Sequence, residues 1–127
     1  MSKRIEFHTH TILSDGALLP SELIRRAYVA DHEAIAITDH VDFSNVDSVI
    51  RATKRAAEGS SGIEVLVGAE ITHVVPEKIP KLVRKAKALG AQIKSYTVRP
   101  LLSRWRQEQT RRLQLLAMST SLHTQVL

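Results

Sequence analysis

The sequence predicts an α/β fold built on a parallel sheet, and three observations carry that expectation. Within the first ninety residues, three strand-like runs each precede a helix-like segment. The second run, Ala34-Ile35-Ala36-Ile37-Thr38, is apolar on both faces, as buried parallel strands are. The helix-like segments carry start and stop residues near their ends. Such a succession of strand–helix units points to a parallel sheet or to part of a barrel.

In chain order, Ile5-Glu6-Phe7-His8 reads as the first strand. After the polar stretch Ser14-Asp15-Gly16, Pro20 to Ala30 reads as a helix, with Pro20, Ser21 and Glu22 in its first turn and Leu23, Ile24 and Ala27 as its apolar stripe. Asn45 follows the second strand and is expected to cap a helix running to about Glu58, with Val46, Val49, Ile50 and Thr53 on one side and Gly59 beyond its end. Val65-Leu66-Val67 reads as the third strand. Pro76 to Leu89 reads as a third helix with Ile79, Leu82, Val83, Ala86 and Leu89 inward, closed by Gly90. Ala91-Gln92-Ile93 opens a fourth strand, and no further strand is read from Lys94 onward. Leu101 to Met118 is a basic stretch of helical character, and Ser119 to Leu127 is weakly patterned.

The chain of 127 residues has room for one modest core. Hydrophobic residues at 43% and charged residues at 24% are ordinary for a soluble globular protein. No apolar run approaches the roughly eighteen residues of a membrane span, so no membrane partner is expected. There is no cysteine, which excludes disulfides and thiolate metal sites. Met1-Ser2-Lys3-Arg4 leads directly into the first strand without a signal-like apolar stretch, so a cytoplasmic location is expected. The net charge of +5 is unevenly distributed: residues 1–93 hold 12 Lys/Arg and 12 Asp/Glu, whereas residues 94–127 hold 6 Lys/Arg against Glu108 alone. The basic character belongs to the last quarter of the chain.

The residues that carry chemistry fall at strand ends. His8 and His10 are two apart, so a strand directs both imidazoles to one side. Asp15 lies in a glycine-containing loop that can fold back over the same strand end. Asp39-His40 ends the second strand, and Glu70 lies just beyond the third, in Gly68-Ala69-Glu70. In parallel α/β folds, active sites are built at this carboxyl edge. Imidazoles with carboxylates suit Zn, Mn or Fe, and a carboxylate can bridge two ions. Each feature alone has an ordinary explanation: a chance HxH pair, a capping Asp, an exposed Glu. Their joint placement on three successive strand ends favours a metal site.

His8-Thr9-His10-Thr11 with Ser14-Asp15-Gly16, then Ile37-Thr38-Asp39-His40, then Gly68-Ala69-Glu70-Ile71, resembles the PHP (polymerase and histidinol phosphatase) family over about residues 3–93. The resemblance implies a distorted (βα)7 barrel holding two or three metal ions that hydrolyse phosphoesters, and it is closest to small stand-alone members of the family. It implies that His8 and His10 hold one ion, that Glu70 bridges it to a second, and that Asp15 and His40 hold a third. Asp39, beside His40, is expected to support the site or its loop. His73 is a further ligand, a substrate-facing donor or a plain loop histidine. His32, read as lying at a helix end, and His123 are assigned no role. A phosphoester small molecule or a nucleotide is the expected substrate.

The family pattern also requires a histidine on the fourth strand, further ligands and a late Asp-x-His pair. Here Lys94-Ser95-Tyr96-Thr97 follows Ile93, and no aspartate occurs after Asp47. The expected organisation is therefore a partial PHP domain over residues 1–93, three βα units of an incomplete barrel, and a basic tail over 94–127 that does not match the family. That tail is read as a product of frameshift or gene truncation, with a basic helix binding RNA, DNA or a partner as the functional alternative. Metal binding is expected to be partial and hydrolysis weak or absent. Self-association through an exposed sheet edge is expected as well.

Overall fold

The structure, a computed structural model, describes residues 3–96. The described residues belong to one compact unit, Met1–Thr97. Among them the order of elements is β1 (Arg4–Thr9), α1 (Pro20–Val29), β2 (His32–Ile37), β3 (His40–Val41), α2 (Val46–Glu58), β4 (Glu64–Ile71), a 3₁₀ turn (Pro76–Lys78), α3 (Ile79–Leu89) and β5 (Ile93–Tyr96). The α/β class expected from the alternating pattern is correct, and every strand pairing is parallel.

β4 is the spine of the sheet. Its first half pairs with β2 and its second half with β3 and β5, while β1 pairs with β2. The pairs Ile37↔Val67 and His40↔Glu70 keep one offset, so β2 and β3 form a single interrupted strand with Thr38 and Asp39 at the break. The ladder is carried across the break by backbone bonds: the Thr38 N–H donates to the Thr9 carbonyl (2.8 Å) and the Glu70 N–H to the Asp39 carbonyl (2.9 Å). β5 does not stop at Ile93 as the sequence reading had it. It runs in register with Gly68–Ile71 as far as Tyr96.

One face of the sheet carries the helices. Val67, Ala69 and Ile71 of β4 pack with Val46, Val49 and Ile50 of α2 and Leu82 and Ala86 of α3, all buried. Ile35 and Ile37 of β2 pack with Ile24 and Ala27 of α1 in a second cluster. Side chains alternate along a strand, so His40, Glu70 and Thr38 fall on the opposite face. β1 is the exception to burial: Arg4 to His8 are all exposed, with Ile5 at 51% and Phe7 at 56%.

Two local expectations need correcting. Asn45 stands at the N-terminal boundary of α2 but makes no side-chain cap to that helix. Its side chain instead ties the preceding loop, accepting from the Asp42 N–H (2.8 Å) and donating to the His40 carbonyl (3.1 Å). His32 opens β2 and does not close α1. No helix among the described residues is long and apolar enough to cross a membrane.

Candidate metal centre

Three carboxyl ends of strands converge at one point. His8 comes from β1, His10 from just beyond it, His40 from β3 and Glu70 from β4, and Asp15 is brought in by the loop before α1. That loop is tightly folded: the Ser14 and Gly16 N–H groups both donate to the Thr11 carbonyl (3.1 and 2.8 Å), and the Ile12 N–H donates to the Leu18 carbonyl (2.9 Å). A Cβ on Gly16 would lie 2.3 Å from the His10 carbonyl oxygen, so only glycine lets the chain pass this close. Asp15 is thereby held against His10. Gly68 has the same role in β4, where a Cβ would lie 2.7 Å from Thr38 Cγ2, 3.0 Å from the Ile37 carbonyl and 3.1 Å from the Ile93 carbonyl. Any larger residue would wedge apart the strands that align His40 with Glu70.

The side chains form two overlapping groups, His8–His10–Glu70 and His10–Asp15–His40, each with ligand atoms within 4.8 Å of one another. In the first, His8 Nε2 and His10 Nε2 are 3.0 Å apart, and Glu70 Oε2 lies 3.3 Å from the former and 3.0 Å from the latter. Glu70 Oε2 is also 3.5 Å from His40 Nδ1. In the second, His10 Nδ1 donates to Asp15 Oδ1 (2.6 Å), and Asp15 Oδ2 lies 3.2 Å from His40 Nε2. His10 stacks edge-on against His40, with ring centroids 4.3 Å apart.

The hydrogen-bond logic favours a cation here. Thr38 Oγ can donate to the Thr9 carbonyl (3.2 Å) and lies 3.3 Å from His8 Nδ1. The Asp15 carboxylate accepts from His10 Nδ1. Nε2 of both rings faces the Glu70 carboxylate, and a positive charge among these groups is favourable. Ligands bound at about 2.1 Å to one ion, at right angles or tetrahedrally, are separated by about 3.0–3.4 Å. The first triangle has those dimensions, so the residues fit a divalent ion. His10 Nδ1 on a carboxylate is also the usual way a ligating imidazole is oriented.

Asp15 feels this environment. The hydrogen bond from His10 holds its carboxyl below the ordinary range, opposed by some desolvation and assisted by the charges of His40 and His10. Asp39 is fully buried with its oxygens turned to Thr11 and Ser14, and it belongs to neither group. His73 is exposed in a left-handed turn (φ 57°) beyond β4, outside both groups. Two features escaped the sequence reading. Thr38 and Thr72 accompany the rings, Thr72 Oγ lying 3.2 Å from His40 Nδ1. Ser95 sits in register with Glu70 on β5, at the level where a fourth-strand histidine was expected, and its hydroxyl is buried with no hydrogen-bond partner among the described residues.

A family model described as PHP domain matches residues 6–123. The chain belongs to the PHP domain family. The match continues past residue 93, where charge and pattern had suggested a boundary. The PHP chain is 54% identical over 94 residues to an uncharacterized protein of Methanocaldococcus jannaschii, covering 71% of this chain and 43% of that protein. It is 36% identical over 72 residues to a 5'-3' exoribonuclease of Haemophilus influenzae, covering 57% of this chain and 24% of the relative. A PolC-type DNA polymerase III of Streptococcus pyogenes is 40% identical over 80 residues, covering 61% of this chain and 5% of the polymerase. The chain thus spans less than half the length of each of these relatives. No solved structure matches it.

Proposed function

We propose that the site is that of a PHP-type metal-dependent phosphoesterase, with His8, His10, Asp15, His40 and Glu70 as its metal-facing residues. The observation that carries this reading is the meeting of His8 Nε2, His10 Nε2 and Glu70 Oε2 within a triangle of 3.0–3.3 Å. Zn, Mn or Fe suits such donors, and the family resemblance implies two or three ions. Bound divalent ions would supply a polarised phosphoryl oxygen and an acidified water.

The protein's own contribution is orientation. Asp15 orients the ring of His10, Thr38 contacts that of His8, and Glu70, at the centre, faces three imidazoles. The substrate class is a phosphoester, either a small molecule or a nucleotide; relatives named exoribonuclease and DNA polymerase favour the nucleotide. Within the (βα)7 barrel implied by the family, these elements would form the first part. With Ser95 standing beside Glu70, we infer that hydrolysis by this chain is weak.

The test is release of phosphate from a generic phosphomonoester and from a dinucleotide, with added Mn²⁺ or Zn²⁺. Metal-dependent turnover lost in His8→Ala and His40→Ala supports the proposal. Turnover indifferent to both substitutions overturns it. A second reading rests on the 6 Lys/Arg against one acidic residue in 94–127: a non-catalytic module that binds nucleic acid through this segment. Salt-dependent oligonucleotide binding that is lost on deleting 94–127 supports it.

A further inference from the structure

We infer that Asp39 is a positioning residue that locks together the three ligand-bearing segments of the centre and specifically sets Asp15 and His40. This rests on the metal reading above and deepens it. Asp39 is wholly buried, at 0% exposure, which is costly for a carboxyl group unless its acceptors are filled. They are filled from one direction. Asp39 Oδ1 accepts from the Thr11 N–H (2.7 Å) and from Ser14 Oγ (2.6 Å), and Asp39 Oδ2 accepts from Thr11 Oγ (2.7 Å).

All three donors belong to the loop that follows His10 and carries Asp15. Thr11 is itself fully buried, and its hydroxyl accepts from the Leu13 N–H (3.1 Å) while donating to Asp39. The same loop folds back on the Thr11 carbonyl through Ser14 and Gly16. Asp39 therefore grips the loop at both arms, one residue after His10 and one residue before Asp15.

The backbone of Asp39 completes the junction. Its carbonyl accepts from the Glu70 N–H (2.9 Å), and the next residue is His40. A single residue at the break between β2 and β3 thus touches the His10–Asp15 loop by its side chain, Glu70 by its carbonyl and His40 by its peptide bond. The two ligand groups differ in their dependence on Asp39. His8, His10 and Glu70 sit on or next to paired strands, whereas Asp15 reaches His40 only if the loop is held.

The experiment is titration of the full chain with Mn²⁺ alone, counting bound ions and their affinities, with Asp15→Asn as the reference for loss of the ion held by Asp15 and His40. Asp39→Asn keeps the shape but replaces one acceptor oxygen by a donor. It is expected to weaken the ion held by Asp15 and His40 about tenfold, the scale of an outer-sphere partner, and to leave the His8–His10–Glu70 ion within about twofold. Ser14→Ala removes one arm at a half-buried position and is expected to act in the same direction, more weakly, with an unchanged melting curve without metal; it decides the matter if Asp39→Asn fails to fold. Equal loss of both ions in Ser14→Ala, or no change in either variant, overturns the inference while leaving the metal centre standing. Wild-type protein that takes up no Mn²⁺ overturns both.

Discussion

β1 and β4 deliver candidate ligands to the same point from opposite circumstances. β4 lies between β2 and β3 on one side and β5 on the other, and its residues from Val67 to Ile71 are all buried. β1 pairs with β2 alone among the described strands and is exposed along Arg4 to His8. Glu70 is thus mounted on the most sheltered strand, His8 on the least sheltered and His10 just beyond its end. Half of the centre is scaffold, and the other half is held to it by one ladder, by Thr9 Oγ on the Ala36 carbonyl (2.6 Å), and by the Thr11–Asp39 contacts.

The sharpest way to break this contrast is under β4. Leu82→Ala, at a fully buried position of the α2–α3–β4 cluster, should destabilise the fold by about 2–5 kcal/mol, read by chemical denaturation. Next comes Gly16→Ala, whose methyl would be driven into the His10 carbonyl. The loop must shift, and we expect a loss of about 1–3 kcal/mol together with loss of Asp15 from the centre, measured by Mn²⁺ stoichiometry. On β1 the same kind of surgery should do little. Phe7→Ser removes an apolar ring that is 56% exposed, and surface changes of this sort stay within about 0.5 kcal/mol; a cost of several kcal/mol would show that β1 is covered.

The smallest effect is expected at the helix layer. The Lys85 ammonium hydrogen-bonded to Asp47 (2.6 Å) holds that carboxyl below its ordinary value. A lowered folded value means the pair contributes above the unfolded carboxylate range and is lost as pH falls through the lowered value. The difference in melting temperature between wild type and Asp47→Asn should therefore be small at neutral pH and vanish in acid, and it should shrink with added salt. A difference that grows on acidification would contradict the sign.

Much of this was legible in the sequence because it is local. The period of two that pairs His8 with His10, the glycine at 16 and the apolar stripes of α1 to α3 are all set within a few residues of themselves, and the structure brings His8, His10, Asp15, His40 and Glu70 together. What the sequence hid depends on distant partners. β3 is only His40–Val41 and exists through its pairing with Glu70 and Ile71. β4 extends past Val67 because β3 and β5 meet it there. Asn45 looked like a cap, yet its amide serves the Asp42–His40 loop, a competition between local hydrogen bonds that propensity does not resolve. Asp39 is expected from its place beside His40 to support the site or its loop, and only the fold reveals that Thr11 and Ser14 claim both of its oxygens. Lys94-Ser95-Tyr96 has little apolar pattern, so its strand is visible only as a neighbour of β4.

The edge position of β1 among the described strands makes occupancy of the centre a matter of chain topology. Any link from His8 or His10 to Glu70 spans from the edge strand, across β2, to the spine of the sheet, closing a long stretch of chain much as a cross-link does. Amide hydrogen exchange should register this: without metal, the β1 amides of Ile5 to Thr9 open first among the strands, and both imidazoles leave with them. Loading the centre should slow exchange in β1 more than in β4, so that the least sheltered strand gains the most from the ligands it carries.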